Sequence, residues 1–231
     1  MADINVYITP SSRKRRGFIF GDYNTAERGW TLTGWSFEEP ELQENYVEVP
    51  GRADGPLDMS TSLTKGDPCY NSRTLTATFE CSDGTRLSRD VLISEMTNAL
   101  HGQRKDIIFP DDDTRYATGR MTVKQEYSDM AHCCVTVTAV CNPWRYNMLE
   151  TRVELTLEDT TAELVLTNAG RRKLTPEVKI TGEVTLVYGA TTWNLGEGAY
   201  RLAGLKLATG NTSVTCSGDG TVAFTYREAI L

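Results

Sequence analysis

The sequence predicts a mainly β chain: an N-terminal β-sandwich-like domain carrying one packed α-helix, followed by a small antiparallel β-sandwich. Three observations point there. Short segments rich in β-formers recur between Pro, Gly, Asp and Asn punctuation along the 231 residues. One stretch alone has apolar residues at helical spacing. Past the segment Asn142-Pro143-Trp144-Arg145-Tyr146 only alternation is left, so domains are expected at 1–146 and 147–231, each large enough for a core of its own.

In chain order, residues 5–9, 17–20, 30–35 and 45–49 read as short strands. Residues 74–81 alternate, with Leu75, Ala77, Phe79 and Cys81 on one face and Thr74, Thr76, Thr78 and Glu80 on the other, the pattern of a half-buried strand. The period then lengthens. Leu92, Ile93, Met96, Ala99 and Leu100 predict an amphipathic helix over 88–101, capped by Ser88 and closed by Gly102. Residues 107–109, 115–124 and 131–141 return to strand character, and Pro110-Asp111-Asp112-Asp113 reads as a turn. Beyond the boundary, Val153/Leu155/Leu157, Leu164/Leu166, Val178/Ile180, Val184/Leu186/Tyr188, Leu205/Leu207, Val214/Cys216 and Val222/Phe224/Tyr226 predict separate short strands. Ser217-Gly218-Asp219-Gly220 reads as a hairpin turn between two of them.

A net charge of −7 and a pI near 5.0 speak against a general nucleic-acid surface, which needs clustered Lys and Arg. The one basic run, Arg13-Lys14-Arg15-Arg16, reads as a solvated loop; contact with an acidic partner surface or nucleic acid is the alternative. There is neither a signal-peptide pattern nor a run of about 18 apolar residues, so no membrane partner is expected. The six cysteines are then read as thiols made in a reducing compartment.

His132-Cys133-Cys134 with Cys141 offers ligand types that zinc prefers. Alternation places Cys133 and Cys141 on one face with Ala131, Val135, Val137 and Ala139, and His132 and Cys134 on the other, so the ligands do not converge. The Asp run lacks the Gly and spaced oxygens of a calcium loop. No metal or cofactor is expected. The sequence contains no nucleophile elbow, zinc-protease helix motif or phosphate loop. His101 falls at a helix C-terminus and His132 in a strand, so no catalytic residue is assigned and the chain is read as not an enzyme. Trp193 is a candidate for stacking on a glycan ring, against the commoner role of packing in a core.

One ordered series of motifs is more specific. It runs from Glu48-Val49-Pro50-Gly51-Arg52-Ala53-Asp54-Gly55-Pro56-Leu57-Asp58 through Tyr70-Asn71-Ser72-Arg73-Thr74-Leu75 to Asn98-Ala99-Leu100-His101-Gly102. Phe109-Pro110-Asp111-Asp112, Tyr116-Ala117-Thr118-Gly119-Arg120 and Asn142-Pro143-Trp144-Arg145-Tyr146 follow, and Phe224-Thr225-Tyr226-Arg227-Glu228 stands near the end. The set resembles the distal tail protein (Dit) family of long, non-contractile-tailed bacteriophages over the whole chain. The resemblance implies structural roles for Pro50, Gly51, Arg52, Gly55, Arg73, Gly102, Gly119, Pro143 and Tyr146. It implies a hexameric ring of first domains with galectin-like second domains outside it, at the tip of a virion tail assembled in the bacterial host cytoplasm. Its partners would be further copies of the chain, the tail tube protein, a tail-tip, tail-associated lysin or fibre protein, and receptor-binding or baseplate proteins. DNA would pass through the central channel only in transit. A carbohydrate-binding adhesin module, contacting the host cell wall through the C-terminal sandwich, is the competing reading.

Overall fold

The structure, a computed structural model, describes residues 17–51, 55–64, 66–129 and 131–231, with the side chain of residue 63 not described. The strand expected at 5–9 and the basic run at 13–16 lie outside the described residues. Two compact units are present, the first ending at Arg145 and the second comprising Tyr146–Leu231.

In the first unit, β1 (Ile19–Phe20) and β2 (Tyr23–Asn24) form a tight hairpin, and β3 (Thr31–Phe37) leads into an arm carrying β4 (Tyr46–Val47) and β5 (Leu57–Asp58). Then come β6 (Arg73–Cys81), helix α1 (Arg86–Leu100), β7 (Arg104–Phe109), β8 (Asp112–Ser128) and β9 (Cys133–Asn147). The strand order is β2-β1-β7-β8-β9-β6-β3. The period-two pattern of β6 buries Leu75, Ala77, Phe79 and Cys81, which lie opposite Ala139, Val137, Val135 and Cys133 of β9. The sheet curls on itself: Trp35 of β3 meets Phe18 edge-on at 5.7 Å and Phe109 of β7 at 5.6 Å, joining strands that are far apart in the order. Phe18 also lies 5.5 Å from both Phe20 and Phe109 at the centre of the core. Burying each such ring contributes about 1.5–3 kcal/mol.

Ile93, Met96 and Leu100 carry α1 into the same core. The helix starts two residues before the expected 88, and its cap is Thr85 rather than Ser88. Thr85 is extended, and its Oγ1 accepts from the Ser88 N–H at 3.3 Å, while the Ser88 hydroxyl donates to the Thr85 carbonyl at 2.7 Å. Arg86 and Leu87 are exposed, so the first turn carries no apolar signal. Gly102, at φ 74, closes the helix one residue beyond the C-cap and donates its N–H to the Met121 carbonyl at 2.8 Å. Arg89, unflagged by the sequence pattern, is buried and donates to the carbonyls of Gly84 at 2.8 Å and Asp129 at 2.9 Å. It thereby ties the start of α1 to the turn between β8 and β9.

The second unit contains β10 (Thr151–Asn168), β11 (Glu177–Tyr188), β12 (Thr191–Leu195), β13 (Gly198–Tyr200), β14 (Gly210–Tyr226) and β15 (Ala229–Ile230). Its sheet runs β10-β14-β11-β12, with β13 also on β11. Several strands expected to be separate are therefore single long ones. Ser217-Gly218-Asp219-Gly220 is not a hairpin turn but a bend inside β14. Bends on three neighbouring strands line up: Asp159 at φ 51 in β10, Gly182 at φ 91 in β11, and Gly218 and Gly220 at φ 126 and 146 in β14. Gly220 pairs with both Leu157 and Gly182, and β10 shifts register between Leu157 and Thr160. A Cβ on Gly218 or Gly220 would strike the carbonyl of Glu183 or Thr181, so close approach and positive φ both demand glycine. Val178, Ile180, Val222 and Phe224 on one side of this line share a core with Leu164, Leu166, Val184, Leu186 and Val214 on the other. One antiparallel sheet thus folds over itself into a sandwich. Leu205 and Leu207, expected on a strand, are buried in a loop with one bridge, Leu174 to Leu207.

Candidate functional site

Two of the motif positions meet where an arm leaves the first unit. Arg73 is buried at the start of β6; its Nε donates to the Glu38 carbonyl at 2.5 Å and a terminal nitrogen to the Pro143 carbonyl at 3.4 Å. Its guanidinium lies 3.8 Å from the centre of the Phe37 ring. Burial lowers the Arg73 pKa, and the neighbouring Arg145 charge lowers it further. The Glu38 carboxylate accepts from the Thr74 N–H at 2.6 Å, and Tyr70 stands edge-on to Trp144 at 5.5 Å. Both ends of residues 38–72 are thus pinned to the sheet. Asp112, from the expected turn and at the start of β8, lies 3.3 Å from Arg115 and 3.6 Å from Arg145. Burial would raise the Asp112 pKa, but hydrogen bonds from Thr114 together with the Arg115 and Arg145 charges outweigh it and hold it below its ordinary value.

Between its anchors the arm is uncovered. Every described residue from 41 to 59 is exposed, among them Leu42, Val47, Val49, Leu57, Met59 and Tyr46, the last at 55%. Tyr46 pairs with Asp58 and Val47 with Leu57 in an isolated two-stranded ribbon. Backbone bonds hold it: Met59 N–H to Asn45 O at 2.8 Å, Gln43 N–H to Cys69 O at 2.8 Å and Asn71 N–H to Glu41 O at 2.9 Å. A ribbon with neither face covered and both edges free is marginal alone. Pro50 is exposed at its tip; Gly51 at φ 83 and Gly55 at φ 78 take left-handed turns with open space around them, and Arg52 lies outside the described residues. Residues 38–59 hold seven carboxylates against one arginine, a net of −6 out of the chain's −7. Among the described residues no ion pair engages Glu41, Glu44 or Glu48.

The other flagged positions lie apart from this arm in the sequence and serve local packing. Gly119 on β8 passes so close to β9 that an added Cβ would sit 2.6 Å from Cys141 Sγ, and the Gly102 carbonyl accepts from Arg120 at 2.6 Å. Tyr146 belongs to the second unit, where its hydroxyl accepts from Arg172 at 2.5 Å. Trp193 is half-buried against the second core, with Gly204 so close that a Cβ there would lie 3.1 Å from its ring. Cys133 and Cys141 face the core as alternation requires, and burial pushes the Cys141 thiol up to about 12. His132 precedes β9 instead of lying within it: the Ala131 and His132 N–H groups donate to Asp129 Oδ1 at 2.7 and 2.8 Å, forming the turn. His101 Nδ1 accepts the Val123 N–H at 3.1 Å. Among the described residues no group of three His, Cys, Asp or Glu side chains is placed to hold a metal ion, and no helix is long and apolar enough to cross a membrane.

These features define a class: a mainly β chain of two units, a curled sheet with one helix and a folded-sheet sandwich, from which an apolar, acidic arm protrudes. Among solved structures the chain is similar to the crystal structure of the Dit protein of phage SPP1, described as a paradigm of the hub adsorption apparatus in phages infecting Gram-positive bacteria. The TM-score is 0.69 at 16% identity, over 93% of this chain and 99% of that one. At that identity the likeness is one of fold, and it is the fold the ordered motifs imply. No family model and no curated protein matches the sequence.

Proposed function

We propose that this chain is a structural hub protein of a bacteriophage tail, forming a ring of six copies between the tail tube and the tail tip or baseplate. The observation that carries the proposal is the uncovered arm, on a fold shared with SPP1 Dit. A head-to-tail ring gives every copy one donor and one acceptor surface, so a ribbon left bare in one chain gains its cover from the next. Galectin-like second units outside the ring would dock tail-tip, lysin, fibre, receptor-binding or baseplate proteins, and DNA would cross the central channel in transit. The ring would act at the virion tail tip after assembly in the host cytoplasm.

Light scattering and negative-stain imaging of the purified chain, alone and with tail tube protein, test this. A six-subunit mass with ring-shaped particles is expected. A chain that stays monomeric in both settings overturns the ring.

A further inference from the structure

The basic run Arg13-Lys14-Arg15-Arg16 is opposite in charge to the acidic arm, whose described residues 41–59 are exposed. We propose that the arm of one copy binds residues 5–16 of a second copy, an inference that rests on the ring reading above.

Charge is the first argument. Four successive cations stand in residues 13–16, whereas residues 38–59 concentrate a net of −6, with Glu41, Glu44 and Glu48 outside any ion pair among the described residues. Outside the arm and the tetrad the chain carries a net of −5 spread along its length, so the arm, with −6 in residues 38–59, is the densest acidic complement this chain offers to the tetrad. Shape is the second. The β4–β5 ribbon has two strands, open edges and exposed Tyr46, Val47 and Leu57. Asn5-Val6-Tyr7-Ile8-Thr9 is a β-forming sequence with Val6 and Ile8 on one face, suited to adding a third strand and covering apolar surface. Pro10 ends such a strand, and Ser11 and Ser12 set the tetrad off from it. Length is the third: twelve residues reach about 40 Å when extended, enough for strand and tetrad to engage one ribbon together.

The full chain is compared with a version lacking residues 2–16, with E41K/E44K/E48K, with R13E/K14E/R15E/R16E, and with the two reversals combined. Mass is read by light scattering, and a labelled peptide of residues 1–18 is titrated onto the shortened chain by fluorescence anisotropy. Each reversal alone should weaken assembly about tenfold or more, and the combined chain should recover it. The peptide should bind the shortened chain and lose about tenfold in affinity when the shortened chain carries E41K/E44K/E48K. Rings of normal mass from the shortened chain overturn this inference and leave the hub reading standing. Peptide binding unaffected by the arm reversal, or no peptide binding at all, overturns it whether or not rings form. A monomeric full chain that refuses the peptide while the shortened chain takes it places the segment on its own arm, which also overturns the second-copy assignment.

Discussion

Replacing Gly119 by alanine tests whether this motif glycine is required by packing between strands. The added Cβ would meet Cys141 Sγ at 2.6 Å, the Val140 carbonyl oxygen at 3.1 Å and Cys141 Cα at 3.3 Å. Sulfur and carbon need roughly 3.5–4 Å, so β8 and β9 must separate or the thiol must leave its place among fully buried neighbours. Overpacking of this kind costs about 1–3 kcal/mol, offset by about 0.5–1 kcal/mol for removing a glycine from a strand. A net loss of about 1–2 kcal/mol is expected, several degrees in Tm for a unit of this size. Cys141→Ala alone should cost about 1 kcal/mol, for one buried atom and a small void. Gly119→Ala together with Cys141→Ala should be no less stable than Cys141→Ala, because the new methyl occupies the space of the lost sulfur. Urea denaturation followed by fluorescence of Trp30, Trp35 and Trp144, all in the first unit, reads the four proteins of this cycle. A single Gly119→Ala loss under about 0.5 kcal/mol, or strictly additive effects, would refute the reasoning.

Gly220→Ala should be worse and beyond rescue by any side-chain change, since its Cβ strikes the Thr181 carbonyl at φ 146; a loss of about 3 kcal/mol or more, or no soluble protein, is expected by urea denaturation. Asp112→Asn should destabilise by about 1–2 kcal/mol near neutral pH through weakened charge-assisted hydrogen bonds. The Asp112 pKa is lowered in the folded chain, so its stabilisation is complete above the unfolded carboxylate pKa of about 4 and fades as pH falls through the folded value. Thermal melts from pH 7 to pH 3 should therefore converge for wild type and variant at the acid end, and a constant gap would count against the ion network. Iodoacetamide at pH 8 should label half-buried Cys69 first and spare Cys141 and Cys216, whose thiols burial pushes up to about 12 and about 11; equal labelling of all three in the native chain, by mass spectrometry, would contradict this.

Local pattern was enough to see the strand at Arg73–Cys81, the apolar face of α1, the closing role of Gly102 and a turn at Pro110-Asp111, though Asp112 and Asp113 already belong to β8, because each depends on neighbours in sequence. The cap at Thr85 was missed since the exposed first turn gave no periodic residue to mark it. The glycines at 182, 218 and 220 looked like the ends of strands, as glycine breaks a local pattern in the same way at a turn and at a bend. Only pairing among β10, β14 and β11 shows that these breaks align across the sheet, so that the chain continues through them and the sheet folds over.

The arm divides the two kinds of information most clearly. By itself the sequence determined its acidity and its turn residues Pro50, Gly51 and Gly55, since composition and backbone preference are properties of the residues themselves. Leu42, Tyr46, Val47, Val49, Leu57 and Met59 are as apolar as residues that fill a core, and nothing local marks them as uncovered. Their exposure was decided by the tertiary structure: β3 and β6 close the first core on either side of the arm, and Arg73 fixes its base outside that core. Burial is a relation between distant parts of the chain, and residue type alone does not specify it.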